Sequence, residues 1–142
     1  MILISACLVG VNCKYTGDNN LNEKILSLFK EGKAIVVCPE QLGGLTTPRM
    51  AAEKTESGKV FTSDGKDVTE RFLKGAEETL KIAKMLNIKK AILKKNSPSC
   101  GYGEVYNGMF EGIKIRGNGV TSELLSKNGI VILNEDNFSD YF

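Results

Sequence analysis

The chain has 142 residues, 42% of them hydrophobic and 25% charged, and its 19 basic and 17 acidic side chains leave a net charge of +2. That length fits one domain spanning 1–142, the composition is that of a soluble globular protein, and the charges are too evenly balanced to argue for nucleic acid or a membrane surface. Histidine and tryptophan are absent, which removes Ser-His-Asp and Cys-His catalysis and every histidine-ligated metal site.

Residues 2–8 are a short, mostly apolar run that reads as a buried strand. No basic segment precedes it and polar residues follow at once, so it does not read as a signal peptide. No apolar run approaches the ~20 residues a membrane span needs, and a cytoplasmic location is expected. Residues 9–20 are a Gly-, Asn- and Asp-rich loop. Leu21, Ile25, Leu28 and Phe29 recur at helical spacing, with Gly32 as a stop. A second buried strand covers 34–38 and is ended by Pro39, and 39–50 reads as a long loop. Residues 53–64 suggest a small hairpin. Asp67 is placed to cap a helix with apolar positions Phe72, Leu73, Ala76, Leu80, Ile82, Ala83 and Leu86. A third strand is centred on 91–93, and 96–118 forms a long connection with a hairpin around 109–115. A short helix over 120–127 stops at Asn128-Gly129, and 130–133 is the last strand.

Short apolar strands alternating with helices predict an α/β fold: a single-domain three-layer sandwich with a mainly parallel sheet of the Rossmann/flavodoxin-like kind and about four core strands. Ligands in such folds sit beyond the carboxyl ends of the strands. Cys7 falls near the end of the first strand, Cys38 ends the second, and Cys100 follows the third. Cysteines far apart in sequence are thereby predicted to share one rim of the sheet.

The four cysteines, at 7, 13, 38 and 100, are unlike structural disulfides in a reducing compartment. Thiolates suit zinc and iron–sulfur clusters, but no C-x-x-C is present, and a free cysteine also packs well as a small hydrophobe. Cys13 lies in a polar loop and fits a fourth ligand, a resolving thiol or a bystander equally. Glu40 is a candidate proton donor or acceptor, since a carboxylate in a dry site has a raised pKa, or it is a solvated loop carboxylate. Ser97 and Ser99 flank Pro98; their hydroxyls orient a ligand or close the turn. Arg49 binds an anion or pairs with a carboxylate. Gly117-Asn-Gly119 opens a helix whose amides could receive an anion, although an ordinary loop explains it as well. Lys89, Lys90, Lys94 and Lys95 read as a solvated edge.

These motifs together resemble domain-of-unknown-function family 523. Ile4-Ser-Ala-Cys7-Leu-Val-Gly10 with Cys13-Lys-Tyr15-Thr-Gly17 is similar to its opening. Cys38-Pro-Glu40, Gly43-Gly44-Leu45 and Pro48-Arg49 are similar to its second motif, and Ser97-Pro-Ser-Cys100-Gly101 to its third. Asp67-Val-Thr69, Lys74-Gly75-Ala76 and Gly117-Asn-Gly119-Val120-Thr121 also fit. The resemblance covers nearly the whole chain. It implies a thiouracil desulfidase-like enzyme carrying a [4Fe-4S] cluster on three cysteines, with one iron left open for the sulfur of a thiolated base. It further implies Cys7, Cys38 and Cys100 as ligands, Glu40 and Ser97 as catalytic residues, and Arg49, Ser99 and Gly101 as substrate-binding residues. Lys94-Lys95-Asn96 departs from the family pattern ahead of the third motif, which implies an altered pocket rim.

Three functions follow as expectations. The first is cluster-dependent desulfuration of a thiolated pyrimidine or similar small heterocycle, with no nucleic-acid or membrane partner. The second is a non-enzymatic ligand-binding module with a structural zinc or cluster site closed by four cysteines. The third is a cluster-free thiol enzyme passing sulfur as a persulfide, which needs a thiolate of depressed pKa.

Overall fold

A computed structural model describes residues 1–142. Strand β1 (Ile2–Ser5) leads through a 3-10 turn (Ala6–Val9) to helix α1 (Glu23–Lys30), strand β2 (Ala34–Val37) and the short helix α2 (Pro39–Leu42). A hairpin of β3 (Ala52–Lys54) and β4 (Val60–Thr62) precedes the long helix α3 (Thr69–Met85) and strand β5 (Lys90–Ile92). A second hairpin, β6 (Glu104–Tyr106) and β7 (Lys114–Arg116), comes before helix α4 (Val120–Lys127), strand β8 (Val131–Leu133) and a closing 3-10 turn (Phe138–Tyr141).

The central sheet has the order β2-β1-β5-β8, every pair parallel. Side chains alternate between its faces, as the two-residue period of a strand requires. Ile2, Ile4, Ile92 and Leu133 pack with Ile25, Leu28 and Phe29 of α1 and with Phe138. Leu3, Val37, Ala91 and Ile132 pack with Leu80 and Ala83 of α3 and Leu125 of α4. The expected three-layer α/β sandwich is therefore present. No helix is long and apolar enough to cross a membrane.

Local differences from the sequence reading have physical causes. The first strand ends at Ser5, because the chain turns into the 3-10 turn that carries Cys7. Leu8 stays buried within that turn, which is why the apolar run looked like continuous strand. Residues 39–42 are helical where a loop was expected; Pro39 occupies the first helical turn, where its missing N–H costs nothing. Asp67 stands one residue ahead of the N-cap of α3, and its Oδ1 accepts from Thr69 N at 2.9 Å. The buried stripe of α3 runs Phe72, Gly75, Ala76, Thr79, Ala83. Leu73 and Leu86 were expected in it but are 41% and 43% exposed: Leu73 falls to the side of the stripe, and Leu86 is the C-cap residue beyond the last helical position.

Helices α2 and α3 meet backbone to backbone. A Cβ on Gly75 would lie 1.9 Å from Pro39 O, and one on Gly43 2.0 Å from Arg71 O. Neither obstacle is a flexible side chain, so no rotamer change relieves it. Gly75→Ala is expected to lower stability by about 2 kcal/mol through this overpacking, outweighing the roughly 1 kcal/mol that alanine gains in helix propensity. The urea midpoint measures it; a midpoint at or above wild type would show that the contact is dispensable.

Candidate active site

A cavity of about 440 Å³ opens at the carboxyl edge of the sheet. It lies where β1 separates the loop after β2 from the loop after β5, the switch point at which open α/β sheets bind ligands. Cys7, Cys13, Cys38, Cys100, Glu40 and Ser97 all line it. Arg49 lines it too, whereas Ser99 and Gly101 do not.

The loop carrying Cys100 is held by the start of α4. Val120 N donates to Pro98 O at 2.9 Å, Thr121 N to Ser99 O at 2.8 Å, and Gly119 N to Gly101 O at 2.6 Å. These are the amides considered above for an anion, and carbonyls of the chain already occupy them. Ser99 is buried and its hydroxyl lies 2.8 Å from Thr121 Oγ1, so it fastens the loop to α4. Gly101 N donates to Ser97 O at 2.8 Å, closing the turn. Ser97 Oγ accepts from the amides of Ser99 and Cys100 at 3.1 and 3.0 Å. No acceptor in the chain takes the Ser97 hydroxyl proton, and the residue faces the cavity.

The four thiols differ sharply in acidity. Cys13 is 2% exposed and sits between Cys7 and Cys38. Hydrogen bonding from Cys13 lowers the Cys7 pKa, against the opposing effect of burial. The same donor lowers Cys38 to about 6 against the opposing effect of burial, with a lesser contribution from the Gln41 amide; Cys38 stands at the N-cap position of α2 without a cap hydrogen bond, and its Sγ lies 3.7 Å from Cys13 O. Cys13 itself is pushed up by its bonds to Cys38 and Cys7, so it keeps its proton. Burial pushes Cys100 up to about 12, and the charges of Glu40, Cys7 and Cys38 add to this. Ser5 opposes the shift by donating its hydroxyl to Cys100 Sγ at 3.4 Å, while accepting from Lys94 N at 3.0 Å.

The Glu40 side chain is 16% exposed at the cavity, and desolvation by the surrounding protein raises its pKa although Arg49 acts to lower it. Arg49 Nε lies 2.9 Å from Glu40 Oε2. Nη1 donates to Thr46 O at 3.3 Å and Thr47 Oγ1 at 3.0 Å, and Nη2 to Cys13 O at 3.0 Å. The guanidinium is thus engaged by the chain itself.

Sequence reasoning missed the outer wall. Ala52 and Glu53 from the first hairpin and Tyr106 from the second line the cavity, as do Asn20 and Lys94. Glu53 Oε1 accepts from the amides of Gly108 and Phe110 at 3.0 and 3.1 Å, tying one hairpin to the other. Nothing in the sequence marks Asn20, Ala52, Glu53 or Tyr106; Lys94 was expected on a solvated edge and in an altered pocket rim, and it lines the cavity with Lys95 and Asn96 while its Nζ pairs with Glu135 Oε2 at 2.9 Å. Ser5, a polar residue inside an apolar strand, carried a usable signal.

Fold and site together define a class: a parallel α/β protein with a thiol-lined cavity at its switch point and a largely desolvated carboxyl beside it. A family model described as 2-thiouracil desulfurase matches residues 2–137, and the chain belongs to that family and is an enzyme of it. The Bacillus subtilis (strain 168) protein YbbK, itself described as uncharacterized, is 46% identical over 149 residues, covering 99% of each chain. A solved structure described as the [4Fe-4S]-dependent thiouracil desulfidase TudS (DUF523Vcz) superposes with a TM-score of 0.93 at 42% identity, covering 98% of this chain and 93% of that one.

In iron-free protein, iodoacetamide is expected to label Cys38 first, and Cys13 and Cys100, both buried and holding their protons, last. Cys38 is the thiolate above its pKa of about 6 and loses reactivity as pH falls through that value. Cys13→Ala should move this midpoint upward, because it removes the main hydrogen bond to the thiolate. Peptide mass spectrometry across pH 5–9 reads both; an unmoved midpoint would contradict the role given to Cys13.

Proposed function

We propose that the enzyme removes sulfur from a thiolated pyrimidine or similar small heterocycle, with a [4Fe-4S] cluster held by Cys7, Cys38 and Cys100. The observation that carries this reading is the convergence of thiols from three separate sheet-edge loops on one cavity that also holds a largely desolvated carboxyl of raised pKa. Family membership and the likeness to TudS support it.

The donor set fits such a group. All candidate ligands are soft thiols, and Cys7 and Cys38 are shifted toward the thiolate that iron requires. No three Cys, Asp or Glu side chains converge closely enough to chelate a single ion. Thiols arranged around a volume suit a multinuclear core better than the tight tetrahedron of structural zinc. When bound, the cluster supplies a soft, Lewis-acidic iron for a thiocarbonyl sulfur.

The chain's own residues supply the rest. The net reaction replaces C=S by C=O, consuming water and releasing hydrogen sulfide, with no change in redox state. Glu40, its pKa raised by burial, is suited to take a proton from the attacking water and return one to the departing sulfur. Ser97 has a hydroxyl proton free to donate to a ring oxygen or nitrogen. Ser99 and Gly101 fix the turn that aims Ser97, and the hairpins close the outer side of the pocket.

The position of Cys13 between Cys7 and Cys38 favours a second reading, a site closed on four thiols that would leave no iron open. Anaerobic reconstitution with iron and sulfide separates the two. On the first reading about four irons bind per chain, wild type and Cys13→Ser both convert 2-thiouracil to uracil and sulfide, and Cys7→Ser, Cys38→Ser and Cys100→Ser each lose iron. Iron binding without turnover would sink the substrate assignment. Zinc binding in place of a cluster, lost in Cys13→Ser, would sink the enzyme mechanism in favour of the four-thiol site.

A further inference from the structure

We propose that Arg49 is a positioning residue that fixes Glu40 with one carboxylate oxygen bound and the other aimed into the cavity. The inference rests on the desulfuration reading above, in which Glu40 moves the proton.

The geometry is specific. Glu40 Oε2 is 2.9 Å from Arg49 Nε, and Oε1 has no partner in the chain. No buried side-chain oxygen in the protein lacks a partner, so Oε1 is an accessible atom, and it belongs to a residue that lines the cavity. The two carboxylate oxygens therefore have different tasks: one is anchored, the other presented.

The anchor is itself immobile. The Arg49 side chain is 9% exposed, and its backbone N donates to Tyr15 O at 2.8 Å. Thr47 Oγ1, which accepts from Nη1 at 3.0 Å, also accepts from Gln41 Nε2 at 2.7 Å, next in sequence to Glu40. Nη2 holds the Cys13 carbonyl at 3.0 Å. One planar guanidinium thus spans the Cys13 loop, the turn at Thr46–Thr47 and the carboxylate, using Nε, both hydrogens of Nη1 and one of Nη2. A side chain so committed has little left for a substrate. Lysine offers a charge but no planar fork, so it can pair with Glu40 without reaching the other acceptors.

The test uses the full chain, reconstituted anaerobically, with iron content, 2-thiouracil kinetics and the Kd of the product uracil measured for wild type, Arg49→Met, Arg49→Lys, Glu40→Gln and Arg49→Met/Glu40→Gln. Arg49→Met is expected to lose on the order of 100-fold in kcat, the scale set by misplacing a catalytic group by ~1 Å. KM, uracil Kd and iron content should stay within about twofold, a split a general loss of structure would not produce. Arg49→Lys should recover part of kcat. The double variant should be no slower than Glu40→Gln alone, since Arg49 then has nothing to position. A rise in KM and uracil Kd with unchanged kcat would overturn the inference and make Arg49 a substrate ligand. Multiplicative losses in the double variant would assign it an independent role. Loss of iron in both single Arg49 variants would make it a support of the cysteine loop instead. A wild type that binds iron but turns over nothing would sink the desulfuration reading and this inference together, an outcome distinct from the other three.

Discussion

Parallel pairing obliges all four strands of the central sheet to end at the same edge. The cavity follows from that constraint. The loops leaving β1, β2 and β5 have no alternative but to emerge side by side, and they bring Cys7, Cys38 and Cys100 with them. Between Cys38 and Cys100 the chain runs through a short helix, a hairpin, a long helix and a strand before returning to the same cavity. A soft multinuclear group can be served this way without the short ligand spacings that mark simpler metal sites.

Convergence alone would leave flexible loops. Two of the three are instead fixed by backbone groups that helices leave unpaired at their ends. Amides at the start of α4 clamp the turn that carries Cys100, and the start of α2 faces the Cys38 thiolate through the Gln41 amide. Helix α2 can do so only because its backbone lies directly against α3 at Gly43 and Gly75. The packing of Gly75 on Pro39, the residue after Cys38, therefore reaches the site through rigid contacts of main chain on main chain.

Much of this was legible in the residues. The alternating apolar runs gave the sheet and its layers, and from the layers came the shared rim. Two kinds of information were not. Boundaries failed where burial continued past the end of a strand, as at Leu8, because hydrophobicity reports burial and not backbone geometry. The outer wall was invisible because Ala52, Glu53 and Tyr106 reach the cavity through the docking of one hairpin on another, and short hairpins carry no long-range pattern. Arg49 falls between: its pairing with a carboxylate was one of two readings open from sequence, and only the fold shows which acceptors surround it.

The hairpins stand outside the sheet that holds the thiols: the first packs Val60 on Phe72 and Ala76 of α3, and Glu53 ties it to the second through the Gly108 and Phe110 amides. The thiols and the outer wall of the cavity thereby lie on different parts of the chain. Changes of length or side chain in the hairpins can reshape the space above the thiols while the strands, their edge and the cysteines stay put. A lineage built on this plan is free to move between substrates of different size by altering its outer wall, with the reacting centre inherited unchanged.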